Sequence, residues 1–246
     1  MQRVIKVIVF VIIILFLATM PLVYKKIEKS KVENIPFASL ASDFFKKDLN
    51  TETKNTKDEL PKETFIKVPF GVQAPFANWD ALHEEACEEA SLIMMNHFLK
   101  NTSIDSQEQM EKEIQDLIKW ETNHGYKQDV TIKELAQIAK VYYGFSNATA
   151  KYDISVDDIK QELASGHPVI IPAAGKILPN PNFRNGGPNY HMLVLTGYDY
   201  RGFITNDPGT RNGENFRYSY ESLFNAIHDY NSKNMFLGPK AYLVFE

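Results

Sequence analysis

The spacing of apolar residues changes once along this chain, near Pro168, and that change sets the class of fold open to it. Before it, apolar side chains recur at helical intervals. Cys87, Ala90, Met94 and Phe98 share one face of a helix expected over Cys87–Leu99. A second helix is expected over Ser106–Asn123, with Met110, Ile114 and Leu117 inward and Gly125 just past its end. A third opens at Thr131-Ile132-Lys133-Glu134, the spacing of a capping box, and stops at Gly144; a fourth runs from Ser155 to about Ser165. After Pro168 the apolar residues come in short runs rich in β-branched and aromatic side chains: Pro168–Pro172, His191–Tyr198, Phe203–Asp207 and, beyond a helix near Tyr220–Tyr230, Ala241–Glu246. The two middle runs flank Asp199-Tyr200-Arg201-Gly202 and should form a hairpin. Helices first and antiparallel strands second define an α+β class, in one domain expected over 65–246.

The amino terminus is of a different kind. Val7–Tyr24 is an uncharged apolar run with Arg3 and Lys6 before it and Lys25 and Lys26 after it. As a helix it would span about 27 Å, close to the hydrocarbon thickness of a bilayer. It exceeds the usual apolar region of a signal peptide, and Pro21 directly after Ala18-Thr19-Met20 makes a poor cleavage site. Residues 1–26 are therefore expected to be a transmembrane anchor, with a cleaved signal peptide as the alternative. Residues 27–64 read as a flexible stalk, because Asn50–Thr64 carries one large apolar residue, Leu60, and cannot offset the entropy of ordering.

The whole chain has a net charge of −4, and residues 1–26 contribute +4 of it, so the remainder stands at −8. An acidic body repels phosphate backbones, which sets nucleic acid aside as a partner. There is one cysteine, Cys87, hence no internal disulfide and no thiolate cluster for zinc. His83, His97, His124, His167 and His228 share no ligand-like spacing, so neither a metal nor a cofactor is expected.

Three residues nonetheless make a chemical set. Cys87 falls at the start of a helix, where free backbone N–H groups and the helix dipole favour a thiolate. His191 opens a strand after the Gly-, Asn- and Pro-rich loop Pro179–Asn189, and Asp207 closes the next strand of the same hairpin. A thiolate, an imidazole and an orienting carboxylate are what nucleophilic attack on an amide requires. Register leaves a second candidate for the third place. With a four-residue loop Asp199–Gly202, Asn206 faces Leu195 on the side of His191 and Asp207 falls on the other side; a bulge or an odd loop reverses this.

The segments VPFGVQAPFANWD, ACEEASLIMM, NYHMLVLTGYD and ITNDPGT, in this order over Val68–Pro208, resemble the landmarks of peptidases similar to the double-glycine bacteriocin-processing enzymes, within the papain-like superfamily. The resemblance implies a papain-like cysteine peptidase hydrolysing peptide bonds, with a helical part carrying Cys87 as nucleophile and an antiparallel sheet carrying His191 as base and Asp207 as orienter. It also implies that Gln73 supplies an oxyanion-hole donor, and that the body lies outside the cytoplasmic membrane. Papain-type enzymes use Asn as the third member, which keeps Asn206 in play. The expected partners are a peptide or protein substrate and, through the N-terminal helix, the membrane. An acyltransferase or amidase on the same scaffold, or a catalytically silent peptide-binding module, are the alternatives. Many relatives have Gly-Pro after the cysteine, whereas this chain has Glu88-Glu89, preceded by Glu84 and Glu85. Four carboxylates oppose a thiolate while a helix N-terminus favours one, and sequence alone leaves the sign of the sum open.

Overall fold

The computed structural model of the protein describes residues 60–246. The expected anchor over 1–26 lies outside the described residues, as does the stalk up to residue 59. Folded chain begins earlier than the expected boundary at Phe65. Thr64 is already paired with Tyr198, and Pro61 accepts a hydrogen bond from the Tyr198 hydroxyl at 2.8 Å.

Among the described residues, seven strands form one antiparallel sheet. They are β1 (Thr64–Phe65), β2 (Ala148–Tyr152), β3 (Val169–Ala173), β4 (His191–Asp199), β5 (Gly202–Asn206), β6 (Phe216–Tyr218) and β7 (Ala241–Phe245). Their order is β2-β7-β3-β4-β5-β6, and β1 pairs with the far end of β4. Five helices are α1 (Cys87–Leu99), α2 (Gln107–Asn123), α3 (Ile132–Tyr142), α4 (Val156–Ala164) and α5 (Tyr220–Ala226). Among the described residues no helix is long and apolar enough to cross a membrane.

The helices start where side chains can take up their free N–H groups. Ser106 caps α2, and Thr131 with Glu134 and Ser155 with Asp158 form capping boxes at α3 and α4. Left-handed glycines, Gly125, Gly144 and Gly166, follow the same three helices. The sheet is covered on both faces, which is why β3 and β4 read as unbroken apolar runs. Ile170, Met192, Val194 and Leu243 pack with α1, α2 and α3; Val169, Ile171, Leu193, Leu195 and Val244 pack with Ile159 and Leu163 of α4 and Leu223 of α5.

Helix α1 departs from the one-sided face expected of it. Every residue from Cys87 to His97 is buried, including Glu88, Glu89, Asn96 and His97. A helix enclosed on all sides holds its first residue firmly in place.

The central hairpin decides where Asp207 points. Its turn is the two residues Tyr200 and Arg201, with Asp199 opposite Gly202 and Tyr198 opposite Phe203. The register then slips between Leu195 and Gly197, so that Thr196 is an extra residue in β4. Thr205 faces Leu195, and Asn206 faces Val194. One step on, Asp207 falls on the face of Leu193 and His191. Strand β1 clamps the bulge: Ile66 N–H donates to the Thr196 carbonyl at 2.7 Å. Only glycine allows β1 so close, since a Cβ on Gly197 would stand 2.2 Å from the Thr64 carbonyl oxygen.

Candidate active site

His191 opens β4 and is wholly buried, and its Nε2 donates to Asp207 Oδ1 at 2.8 Å. The opposite nitrogen, Nδ1, is buried and has no hydrogen-bond partner among the described residues. Asp207 is itself fully ligated. Oδ1 also accepts the Gly209 N–H at 3.0 Å, and Oδ2 accepts the Tyr218 hydroxyl at 2.6 Å and Asn180 Nδ2 at 3.2 Å. Burial alone would raise the Asp207 carboxyl, but His191 and these donors outweigh it and hold the group below the usual carboxylate range. Asn206, the other candidate, is engaged elsewhere. Its Nδ2 donates to the Val68 carbonyl at 3.0 Å, and its Oδ1 accepts the Asn215 N–H at 3.2 Å.

Tyr218 and Asn180 were not apparent from sequence. Tyr218 lies on a three-residue strand, and Asn180 lies in the loop before β4; no periodic pattern marks either. The Pro179–Asn189 loop closes over the imidazole. Phe183 meets His191 edge-on with ring centroids 5.3 Å apart, and a Cβ on Gly209 would lie 3.0 Å from His191 Cε1.

Cys87 is the first residue of α1, after an Ala86 cap that offers no side-chain bond. Its Sγ lies 2.9 Å from Glu88 Oε2, to which the thiol donates, and the Met192 N–H is directed at the same sulfur. The thiol is 3 % exposed. Burial pushes it well up, a negative charge on Glu88 or, more weakly, on Glu89 would push it further, and the Met192 N–H acts the other way. The sign left open by sequence is therefore upward: in this arrangement Cys87 rests as a neutral thiol.

Behind the thiol lies a buried group of acids. Glu88, Glu89 and Glu121 are each at least nine-tenths buried, and each keeps one carboxyl oxygen without a partner among the described residues: Oε1, Oε2 and Oε1 respectively. Among the described residues no Lys, Arg or His pairs with any of them. Burial, then the charge of Glu89, pushes Glu121 up to about 11, so Glu121 keeps its proton and donates to Glu89. Among the described residues no group of three or more His, Cys, Asp or Glu is placed to hold a metal ion.

Gln73 reaches the same region. Its N–H donates to the Pro208 carbonyl at 3.0 Å, tying this segment to the end of the Asp207 strand. Its side-chain Nε2 donates to the carbonyls of His83 and Glu84, at 2.8 and 3.2 Å, and Oε1 is left without a partner among the described residues. A cavity of about 670 Å³ lies beside the site, lined by Gln73, Trp79, Glu84, Glu85, Asp129, Phe183, Arg184, Tyr190, Gly209 and Tyr230 among others, while Cys87, His191 and Asp207 lie buried behind its walls. Arg184 sits 5.5 Å from the Trp79 ring. The other histidines serve structure: His83 bridges Asp80 and Glu111, His97 pairs with Glu113, and His167 pairs with Glu162.

The Peptidase_C39 like family matches this chain over residues 65–234. A solved structure from Bacillus anthracis, described as that of a C39-like peptidase, superposes with a TM-score of 0.50 at 19% identity, covering 76% of this chain and 98% of that one. At that identity the likeness is one of fold: a mixed helix and antiparallel-sheet architecture shared by the two chains. No curated protein matches this chain in sequence.

Proposed function

The chain belongs to the Peptidase_C39 like family, and on that premise we propose that it is a cysteine peptidase, anchored by residues 1–26, acting on peptides or proteins outside the cytoplasmic membrane. The observation that carries the reading is the state of His191. One ring nitrogen is fixed by a fully ligated carboxylate and the other is open, and the next residue along the strand touches the Cys87 sulfur. An imidazole held at Nε2, without a partner at Nδ1 among the described residues and one residue from the backbone N–H that meets the Cys87 sulfur, is suited to serve as the general base for that thiol.

Catalysis begins with a rotation of the thiol away from Glu88. The S–H proton passes to His191 Nδ1, and the sulfur attacks the scissile carbonyl. Asp207 stabilises the imidazolium so formed and keeps the ring from turning. The Cys87 N–H, in the first turn of α1 and without an intrahelical partner, meets the developing oxyanion. For Gln73 to act as the second donor, its Nε2 must leave the carbonyls of His83 and Glu84. His191 then returns the proton to the leaving amine, and water resolves the thioester by the reverse route.

One observation favours a second reading, a peptide-binding module without catalysis: the thiol is buried, neutral and bonded to Glu88. The two readings separate in one experiment. The full chain is incubated with a peptide library and the products are read by mass spectrometry, with Cys87→Ala and His191→Ala alongside. Cleavage that both substitutions remove supports the peptidase. Peptide capture with no cleavage by the unmodified chain supports the silent module.

A further inference from the structure

We propose that Glu88 works as a neutral acid which donates a hydrogen bond to the Cys87 thiolate while the thiol proton resides on His191. The inference rests on the peptidase reading and adds to it a partner for the nucleophile.

The geometry is that of a pair built into adjacent positions of one helix. Glu88 Oε2 and Cys87 Sγ are 2.9 Å apart, and Glu88 is 1 % exposed. Its other oxygen, Oε1, has no partner among the described residues. The titratable groups around it are Glu89 on α1, Glu121 on α2, Asp129 before α3, Tyr190 before β4 and Tyr230 after α5, and none of them is a cation. An ionised Glu88 would add a negative charge to a dry group of acids with nothing to balance it. Burial, reinforced by Glu89, accordingly holds the Glu88 carboxyl well above its ordinary range.

A neutral carboxyl reverses the meaning of Glu88-Glu89 beside the nucleophile. As carboxylates these residues would suppress the thiolate; as an acid Glu88 stabilises it. In the resting state the thiol S–H donates to Oε2. During the reaction that proton moves to His191 Nδ1 and the negative charge stays on sulfur. The Glu88 O–H then turns to donate to the sulfur, beside the Met192 N–H that is already aimed at it. Two protons are present before and after: one stays on Glu88 and one travels from Sγ to Nδ1. When sulfur attacks the carbonyl its charge passes to the oxyanion, and the Glu88 hydrogen bond relaxes.

The test compares Glu88→Gln with Glu88→Ala in the full chain. Glutamine keeps the shape and an N–H donor but carries no charge at any pH; alanine removes the donor. Cys87 alkylation by iodoacetamide and peptide hydrolysis are followed against pH, with His191→Ala as reference. Glu88→Gln is expected within about threefold of the unmodified protein at pH 7, and Glu88→Ala about 10- to 100-fold slower, the worth of one hydrogen bond to a charged group. Once the pH is high enough to ionise Glu88, the rate of the unmodified chain should fall relative to that of Glu88→Gln, which has no such ionisation. An infrared difference spectrum between the unmodified chain and Glu88→Gln at pH 7 should contain the C=O stretch of a protonated carboxylic acid, a readout that needs no activity.

A Glu88→Gln protein about tenfold faster than the unmodified chain would make Glu88 an ionised brake and overturn the proposal. Carboxylate bands in the difference spectrum, or an Ala variant as fast as the unmodified chain, would overturn it as well. If His191→Ala changes neither alkylation nor hydrolysis, the peptidase reading itself falls. If His191→Ala slows both while the Glu88 variants behave contrary to expectation, only the role of Glu88 falls.

Discussion

Thr205 lies opposite Leu195 in the central hairpin. Without the extra residue Thr196, Asn206 would occupy that place and Asp207 would turn to the α1 side of the sheet. The bulge therefore assigns the carboxylate to His191 and the amide to Val68 and Asn215. Substitutions at the two neighbours should have opposite consequences. Asp207→Asn is expected to lower kcat/KM by about 10³- to 10⁴-fold, because an amide cannot hold the productive imidazole tautomer. Asn206→Ala should leave kcat/KM near its original value while costing about 1–3 kcal/mol of stability, since it strands the Val68 carbonyl. Steady-state kinetics and denaturant melts on both proteins check the pair.

Acid should unfold the protein partly through Asp207. Its carboxyl lies below the usual range in the folded state, where His191 and its other donors favour the charged form. The carboxylate thus contributes stability at pH values above its unfolded pKa of about 3.9, and that contribution is lost as pH falls through the lower folded value. Urea melts between pH 7 and pH 2 should show stability falling at the acid end, with a shallower fall in Asp207→Asn.

Glu121 should act in the opposite direction. Its folded pKa, pushed up to about 11 by burial and by Glu89, lies far above the unfolded value. A raised carboxyl contributes stability below the unfolded pKa, and stability is lost as pH rises from there toward the folded value. Glu121→Gln keeps a donor to Glu89 and removes the proton linkage. It is expected to be the more stable protein at pH 8, with a melting temperature higher by about 2–4 °C for each kcal/mol gained, and to show a flatter profile between pH 5 and pH 9. A variant less stable than the parent at pH 8 would contradict the protonated assignment.

Gly209 is the close wall of the imidazole pocket. A methyl group there would stand 3.0 Å from both His191 Cε1 and Phe183 Cε1, and 3.2 Å from Asp207 Oδ1. Gly209→Ala should displace the ring by a few tenths of an ångström and lower kcat/KM by about tenfold or more, with KM changing little. The imidazole NMR signals of His191 should move in the same protein.

Much of this architecture was legible in the sequence because its signals are local. Ser106, Thr131 and Ser155 announce helix starts by their own hydrogen bonds, and β3 and β4 announce double-sided burial by their unbroken apolar runs. Strand β2 was missed because its buried contribution is small: Ala148 is its one fully buried residue, and it pairs with a single neighbour, β7. Helix α5 stops at Ala226, short of Tyr230, because Ile227 and His228 turn to bridge Ala173 and Pro172. At the site, the residue types and their order were readable, but the choice between Asp207 and Asn206 hung on one bulged residue. The orientation of Gln73 and the Cys87–Glu88 contact depend on rotamers selected by carbonyls and burial far along the chain, which no spacing rule reaches.

Residues 64–73 leave a mechanical signature on the protein. This segment runs beside the hairpin, bonding in turn to Tyr198, Thr196, Asn206 and Pro208, the last next to Asp207. Tension on the chain upstream of Leu60 enters the folded body through this strap. The strap ends at Pro208, next to the carboxylate that holds His191. Peeling this strap from the hairpin would remove a brace from the segment that carries Asp207, and so from the support of the imidazole.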